Sequence, residues 1–178
     1  MGCAMGVELD WVEKYFGDLW PHHNIAFNSL IIEGRRMFGG DLDALLIMSV
    51  VGERTLTAQR AAGLSYAEFR EGIRRPDPPK RTNVQSIADF SGIPRETVRR
   101  KVDKLVEIGW LTRGPKNTLQ VTPKAKEDLR PLTELTLKYL QTVTARVREI
   151  DAAGADSTEN APGINQTQPN KGRKSFLR

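Results

Sequence analysis

Apolar residues recur at steps of three and four through most of the chain, which is the spacing typical of amphipathic α-helices. Near the N-terminus this pattern covers residues 7–20 and residues 22–38, with Pro21 between them. Because proline lacks an amide hydrogen and clashes with the preceding helical turn, Pro21 is expected to end the first helix or to open the second. Two helices are therefore predicted before residue 39.

A third helix is predicted to form the buried centre of the domain. A glycine pair breaks the preceding pattern, and Asp41 can cap a helix that runs to about Val51. This segment is apolar nearly all round, as expected of a helix enclosed by others. Residues 52–70 give a weaker signal, in which Ser65 and Glu68 fit a capping box at the start of a short helix.

The most informative segment combines a short helix, a glycine turn and a second helix. Asn83 can cap the first helix, whose Ile87, Ala88 and Phe90 are expected to face inward. Gly92 supplies the left-handed backbone conformation that glycine adopts without strain. This order of elements is typical of a helix-turn-helix, whose second helix enters the major groove of DNA.

The second helix is predicted over about residues 94–108, with an apolar face and a polar face. Val98, Val102, Leu105 and Val106 share one side at a rotation of about 100° per residue. Base edges are usually reached from the N-terminal part of such a helix. The side chains expected to contact DNA from this helix are Arg95, Glu96, Thr97, Arg99, Arg100 and Lys104.

A short β-hairpin is predicted directly after this helix. Two strand-like segments flank the turn sequence Gly-Pro-Lys-Asn, and Leu111, Leu119 and Val121 would alternate inward. Arg113 and Lys116 would lie at or near the tip, where they can reach a phosphate or the minor groove. These two cations complete the set of expected DNA contacts.

The residue types of this set suit base edges and the phosphate backbone. Arginine can pair bidentately with guanine, glutamate can accept a hydrogen bond from cytosine, and threonine can meet a base or a phosphate. Most charge runs are solvated helix faces without a further role. The glycine turn before the helix and the basic hairpin after it favour a DNA interface here.

A further helix is predicted after the hairpin, where Thr122 can cap it and Pro123 can open it. Pro131 is expected to kink or restart this helix, and an apolar stripe then continues to residue 150. Beyond that point Ala, Gly, Asn, Gln, Pro and Ser dominate, so a disordered tail is predicted over 151–178.

Positive charge is concentrated on the segment that carries the helix-turn-helix pattern. The whole chain has a formal net charge of +5, to which residues 1–73 contribute −4, residues 74–126 contribute +8 and residues 127–178 contribute +1. Neutralising phosphates releases condensed counterions, so a local excess of cations indicates a polyanionic partner. Charge alone would fit a solvated surface equally well. A basic, proline-rich connector at residues 74–81 leads into the positive segment.

The segment from Ile87 to Leu111 resembles the winged helix of bacterial MarR-like transcriptional regulators, and the resemblance covers about residues 82–128. The run Val121-Thr-Pro-Lys-Ala-Lys is similar to that family's entry into its C-terminal helices. The resemblance implies a homodimer with interlocking N- and C-terminal helices, bound to a pseudo-palindromic operator. It also leaves room for a small-molecule effector of unknown identity between those helices and the DNA-binding region. The aromatic residues that could line such a pocket are Trp11, Phe16, Trp20 and Phe38.

The expected fold is mainly α-helical with a small β-wing: a winged helix-turn-helix domain flanked by N- and C-terminal dimerisation helices. Its predicted parts are a flexible N-terminus (1–6), N-terminal core and dimerisation helices (7–73), a DNA-binding region (74–122), C-terminal dimerisation helices (123–150) and the tail (151–178). The expected function is a sequence-specific, double-stranded DNA-binding transcriptional regulator, in the simplest case a repressor. A winged-helix module that binds protein or RNA instead is the alternative.

Other chemistry has little support in the sequence. His22 and His23 lie near Asp18, but adjacent histidines on a helix point about 100° apart and are poor joint ligands, so neither a metal nor a cofactor is expected. No nucleophile motif or phosphate-binding glycine loop occurs, and enzyme activity is not expected. Cys3 is the only cysteine, which leaves no intramolecular disulfide. The longest apolar stretch, residues 42–51, is about half of a membrane span, and a cytoplasmic protein without membrane contact is expected.

Overall fold

The structure is a computed structural model that describes residues 8–71 and 81–159. Within these ranges the chain forms nine α-helices and one two-stranded antiparallel β-sheet. The helices are α1 (Leu9–Lys14), α2 (Phe16–Met37), α3 (Leu42–Thr55), α4 (Ala58–Ala61), α5 (Tyr66–Glu71), α6 (Val84–Ser91), α7 (Arg95–Glu107), α8 (Pro123–Asp128) and α9 (Arg130–Glu159). The strands are β1 (Leu111–Arg113) and β2 (Leu119–Val121). The described part is thus mainly helical with a small β-sheet, which confirms the predicted fold class at that level.

The core lies between α3, α6, α7 and the β-hairpin formed by β1 and β2. Its most deeply buried side chains are those of Ile47, Val51, Ile87, Val98, Val102, Leu111 and Leu119. At most 3% of the surface of each is accessible. The predicted apolar faces of α6, α7 and the hairpin therefore pack against one another. The prediction that the third helix is central is confirmed, although Leu42 and Leu46 at its N-terminal end stay exposed.

Helices α2 and α9 pack along each other in antiparallel fashion. Near one end, the guanidinium of Arg146 donates to the carboxylate of Asp18 at 2.8 Å. Midway, His23 Nδ1 and Tyr139 Oη share a hydrogen bond of 3.0 Å. At the other end α2 passes so close to α3 that a Cβ on Gly34 would lie 2.8 Å from a methyl carbon of Leu45. The two long helices therefore form a hairpin-like pair beside the core.

Pro21 neither ends nor opens a helix, contrary to the sequence prediction. Helix α2 runs through it, and the break between the first two helices lies at Tyr15 instead. Proline at this position removes one intrahelical hydrogen bond, which would be donated to Gly17. Most helical stability comes from tertiary packing, and the long contact of α2 with α9 outweighs that loss.

The C-terminal helix extends farther than its apolar stripe predicts. Helix α9 continues to Glu159, so residues 151–159 of the predicted tail are helical. The three alanines of this stretch favour a helix, because alanine has the highest helix propensity. Pro131 sits in the first turn of α9, where its missing amide costs nothing. Residues 160–178, like the N-terminus at 1–6 and most of the basic connector, lie outside the described residues.

The turn between α6 and α7 follows the sequence prediction closely. Asn83 and Ser86 form a reciprocal capping box at the start of α6, and Gly92 ends the helix with a φ of +72°. The expectation for Phe90 was wrong, since its side chain is 60% exposed and lies under the guanidinium of Arg54. Ile93, three residues later, is buried instead and belongs to the core.

The hairpin is anchored to the beginning of α6. The strands pair in the register Leu111↔Val121 and Arg113↔Leu119. In addition, the Leu119 amide donates to the carbonyl of Thr82 at 2.7 Å, and Thr82 is 1% exposed. The hairpin is thereby fixed beside both helices of the motif.

Candidate nucleic-acid interface

A groove with a volume of about 410 Å³ opens between α7, the start of α6 and the β-hairpin. Four of the predicted contact residues line it: Arg95 and Arg99 from α7, and Arg113 and Lys116 from the hairpin. The sequence assigned these cations to separate elements, and the fold brings them to one cavity. We call this cavity the basic groove. Such a concentration of cations between a helix and a hairpin can hold phosphates.

The core positions the basic groove by fixing the rotation of α7. Val98 and Val102 are fully buried against α3 and α6, which turns the other sides of α7 outward. Arg95 and Arg99 are four residues apart, so they occupy neighbouring positions on one face. The face that lines the groove is therefore a direct consequence of the apolar pattern.

The remaining predicted contact residues lie on α7 outside the groove lining. Glu96, Arg100 and Lys104 follow one another at steps of four and are exposed. Thr97 is half-buried on the flank of the helix. The eight predicted residues thus do not form a single pocket.

Several groove residues were not singled out from the sequence. Asn83 and Gln85 reach the groove from the start of α6, Asn117 from the hairpin turn, and Asp103 from α7. The uncharged ones gave no signal, because polar residues at helix starts and turns are ordinary capping and turn residues. Asp103 could have been found by its position four residues after Arg99 on the same helix face.

Arg99 and Glu96 form an ion pair on the surface of α7. Arg99 Nε lies 3.2 and 3.0 Å from the two carboxylate oxygens of Glu96, and Nη2 lies 2.5 Å from Oε1. These hydrogen bonds lower the pKa of Glu96 and raise the pKa of Arg99. Both side chains are largely exposed, with 62% and 75% of their surface accessible. In this arrangement Glu96 orients the guanidinium while most of both side chains remains accessible.

Arg113 does not extend from the hairpin toward solvent but leans back to α7. Its Nη2 lies 2.5 Å from the Oδ1 of Asp103. The pair spans the basic groove's wall, because Arg113 ends β1 and Asp103 lies in the middle of α7. The hairpin is thus tied to α7 by a charge-assisted hydrogen bond as well as by the core.

Lys101 is turned away from the exposed face of α7 and ties it to α3. Its Nζ lies 2.5 Å from Oδ2 of Asp41, and only 18% and 28% of the two side chains is accessible. Asp41 also caps α3 by accepting from the Ala44 amide at 3.0 Å. Burial raises the pKa of Asp41, but the hydrogen bonds from Lys101 and Ala44 and the charges of Lys101 and Lys104 outweigh it, and the pKa is lowered.

The Asp41–Lys101 pair should make stability depend on pH in the acidic range. A carboxylate with a lowered folded-state pKa stabilises the fold above its unfolded pKa, about 3.9 for Asp, and this contribution is lost as pH falls through the folded value. Asp41→Asn keeps the cap and removes the charge. We expect it to lower the free energy of unfolding by up to about 1 kcal/mol at pH 7 and hardly at all near pH 2.

Urea titrations of both proteins across this pH range measure the difference. Asp43→Asn is the matched control. Asp43 is exposed in the first turn of the same helix, and its substitution removes the same charge. If the two variants lose stability with the same pH profile, the ion pair makes no specific contribution.

The histidines of α2 take part in local hydrogen bonds. His22 Nδ1 lies 2.9 Å from the carbonyl oxygen of Asp18, whereas His23 contacts Tyr139 on α9. Among the described residues, no group of three or more His, Cys, Asp or Glu side chains could hold a metal ion. Nor does any helix in that part of the chain have the length and apolarity needed to cross a membrane.

The four aromatic residues considered for an effector pocket do not line one cavity, although Phe16 and Trp20 stack on each other. Phe38 lines an apolar groove of about 480 Å³ between α3, α5, α8 and α9. Its ring packs against the Trp110 ring in an edge-to-face arrangement, with 5.1 Å between the ring centroids. Trp11, Phe16 and Trp20 do not line that groove. They lie at the other end of the molecule, on α1 and the beginning of α2.

Comparison with protein-family models, with curated proteins and with solved structures gave no match to this chain. Its functional assignment therefore depends on the residues and the geometry described above.

Proposed function

We propose that the protein is a sequence-specific, double-stranded DNA-binding transcriptional regulator that acts as a homodimer. In this proposal α6 and α7 are a helix-turn-helix, the β-hairpin is its wing, and α7 enters the major groove. The observation that carries the proposal is the basic groove, where cations from α7 and from the hairpin converge. Repression of transcription is the simplest outcome of such binding.

Several cations in and around the groove form no salt bridge, and this supports contact with phosphates. Arg95, Arg100, Lys104 and Lys116 form no salt bridge with any other residue in the ranges 8–71 and 81–159. They are also exposed, so they can meet a phosphate without breaking a salt bridge. Lysine and arginine contacts of this kind supply most of the non-specific affinity for DNA.

An exposed aromatic stripe on α2 supports association of two copies. The rings of Phe16, Trp20, His23 and Phe27 contact one another in succession along the helix. Phe16, Trp20 and Phe27 are 52%, 48% and 41% exposed. On the neighbouring α9, Leu137 and Leu140 are 40% and 50% exposed. Contiguous apolar surface of this kind usually marks a protein interface. A symmetric dimer would pair two copies of α7 and favour an inverted-repeat operator.

The alternative is a winged-helix module that binds protein or RNA. Such a module has no need of cations on both the second helix and the hairpin. Here both elements carry them, with Arg95, Arg99 and Arg100 on α7 and Arg113 and Lys116 on the hairpin. Their retention favours DNA over a protein partner, and a direct competition separates DNA from RNA.

The experiment that tests the proposal is a titration of the protein with duplex DNA between about 50 and 200 mM salt, with structured RNA as competitor. We expect log K to fall linearly with log salt, with a slope of about −0.9 for each phosphate contacted. Duplex DNA should displace RNA. No binding to duplex DNA at about 50 mM salt, where electrostatic attachment is strong, would refute the proposal.

A further inference from the structure

Two carboxylates on α7 each hold one arginine at the edge of the basic groove. Glu96 holds Arg99, and Asp103 holds Arg113 of the hairpin. Glu96, Arg99 and Asp103 are three and four residues apart, so they follow one stripe of the helix. The stripe alternates acid, base and acid on a surface that otherwise attracts anions. This arrangement requires an explanation, because each carboxylate repels the phosphates that the neighbouring cations would bind.

The ion pair leaves one edge of the Arg99 guanidinium open. An arginine side chain has five N–H donors, one on Nε and two on each Nη. Glu96 occupies the edge formed by Nε and Nη2. Three donors remain, and two of them lie parallel on the outer edge formed by Nη1 and Nη2; 62% of the side chain is accessible. Two parallel donors on one edge are what the O6 and N7 acceptors of guanine require.

The unpaired cations of the same surface provide the contrast. Arg95 and Arg100 flank Arg99 on α7, and neither forms a salt bridge with any residue that the structure describes. A mobile cation can follow a phosphate, which presents oxygens in several directions and carries no sequence information. A fixed guanidinium suits a base edge, whose acceptors lie in one plane. The surface therefore combines cations that form no salt bridge, suited to phosphates, with a guanidinium oriented by a carboxylate, suited to a base edge.

We propose that Glu96 is a positioning residue that fixes the guanidinium of Arg99 for bidentate contact with a guanine in the major groove. This inference rests on the proposed function and refines it. Both oxygens of Glu96 accept hydrogen bonds from Arg99, and in this proposal Glu96 acts on the base through the arginine. Holding the side chain in its bound orientation lowers the conformational entropy lost on binding.

An exposed ion pair between neighbouring turns contributes little to folding. Its effect should therefore appear in base preference and not in stability. Removing Glu96 also removes a negative charge that faces the phosphates, so affinity for random duplex should rise while discrimination falls. A pair with a merely structural role would not separate these two quantities.

The test is selection from a randomised duplex pool, followed by titration of the selected duplex and of single base-pair variants. Wild type should prefer guanine at one position of each half-site by about tenfold. E96Q should reduce that preference severalfold and bind random duplex more tightly. R99A should abolish the preference, and in the R99A background E96Q should cause no further loss at that base pair. E107Q is the matched control, because Glu107 is exposed on the same helix and its change removes the same charge.

Three outcomes would contradict this role for Glu96. The guanine preference could survive in E96Q, it could fall equally in E107Q, or E96Q could lower it further in the R99A background. The last result would mean that Glu96 reads a base itself. If wild type binds duplex DNA without any base preference, or does not bind it, the proposed function fails as well. Base selection that E96Q leaves intact overturns only the role of Glu96.

Discussion

Replacing Arg95, Arg100 and Lys116 together by alanine should weaken binding to duplex DNA roughly 500-fold at 0.1 M salt. Each phosphate contact contributes about 0.9 to the salt slope, which corresponds to about eightfold in affinity at that salt concentration. These three side chains come from the groove, the outer face of α7 and the hairpin, and all are exposed. The slope of log K against log salt should fall by about 2.7.

The matched control removes three positive charges elsewhere. Arg35 on α2 and Lys138 and Arg148 on α9 are exposed and lie outside the basic groove. Their joint replacement by alanine removes the same amount of charge as the triple variant of the groove. It should change the slope of log K against log salt by no more than the contribution of about one phosphate contact. If both triple variants lose the same affinity, binding depends on overall charge and the groove has no special part in it.

Replacing Trp20 and Phe27 by glutamate should convert a dimer into a monomer. Both side chains belong to the aromatic stripe on α2 and are 48% and 41% exposed in a single copy. Four charges at a symmetric interface, two from each copy, would be buried or forced apart, and unpaired buried charges are very unfavourable. Light scattering at micromolar concentration should report twice the chain mass of 19.9 kDa for wild type and that mass for the variant.

Loss of the dimer should also weaken operator binding by at least about 100-fold, because a monomer reaches one half-site instead of two linked ones. Asn28→Glu with Ser29→Glu is the control, since both are exposed polar residues of α2 outside the stripe. Circular dichroism should show that each variant stays helical. A wild-type protein with monomer mass, or a control pair that dissociates as well, would contradict the assignment of this interface.

Short-range features of the fold were predictable because they depend on neighbouring residues. The caps by Asp41 and Asn83 and the left-handed turn at Gly92 each follow from a few side chains in sequence. The apolar face of α7 was equally clear, since Val98 and Val102 recur at helical spacing and are buried as expected. Local chemistry therefore defined the elements of the segment that contains α6, α7 and the hairpin.

Long-range packing overrode local rules at two places. Pro21 should interrupt a helix, yet α2 continues through it because α9 packs along its length. Phe90 should be buried by its spacing from Ile87, yet it stays outside the core, to which Ile93 belongs. Neither result can be read from one helix in isolation, because each depends on which other element arrives at the same position.

The ion pairs of the candidate site were least accessible from sequence. Lys101 and Asp41 are separated by 60 residues, and Arg113 and Asp103 by 10. Only the fold shows that Lys101 points toward α3, where it pairs with Asp41, while the neighbouring Arg99 and Arg100 face solvent. The Glu96–Arg99 pair has helical spacing, but helical spacing alone cannot indicate which donors it leaves open.

The central claim is that two copies of α7 read an inverted repeat in double-stranded DNA. Its most direct test is selection of bound fragments from genomic DNA, followed by footprinting of the enriched sequences. The account predicts a pseudo-palindrome whose half-site centres lie about 10 base pairs, or a multiple of that, apart. Enrichment of a single asymmetric site, or of no shared sequence at all, would contradict it.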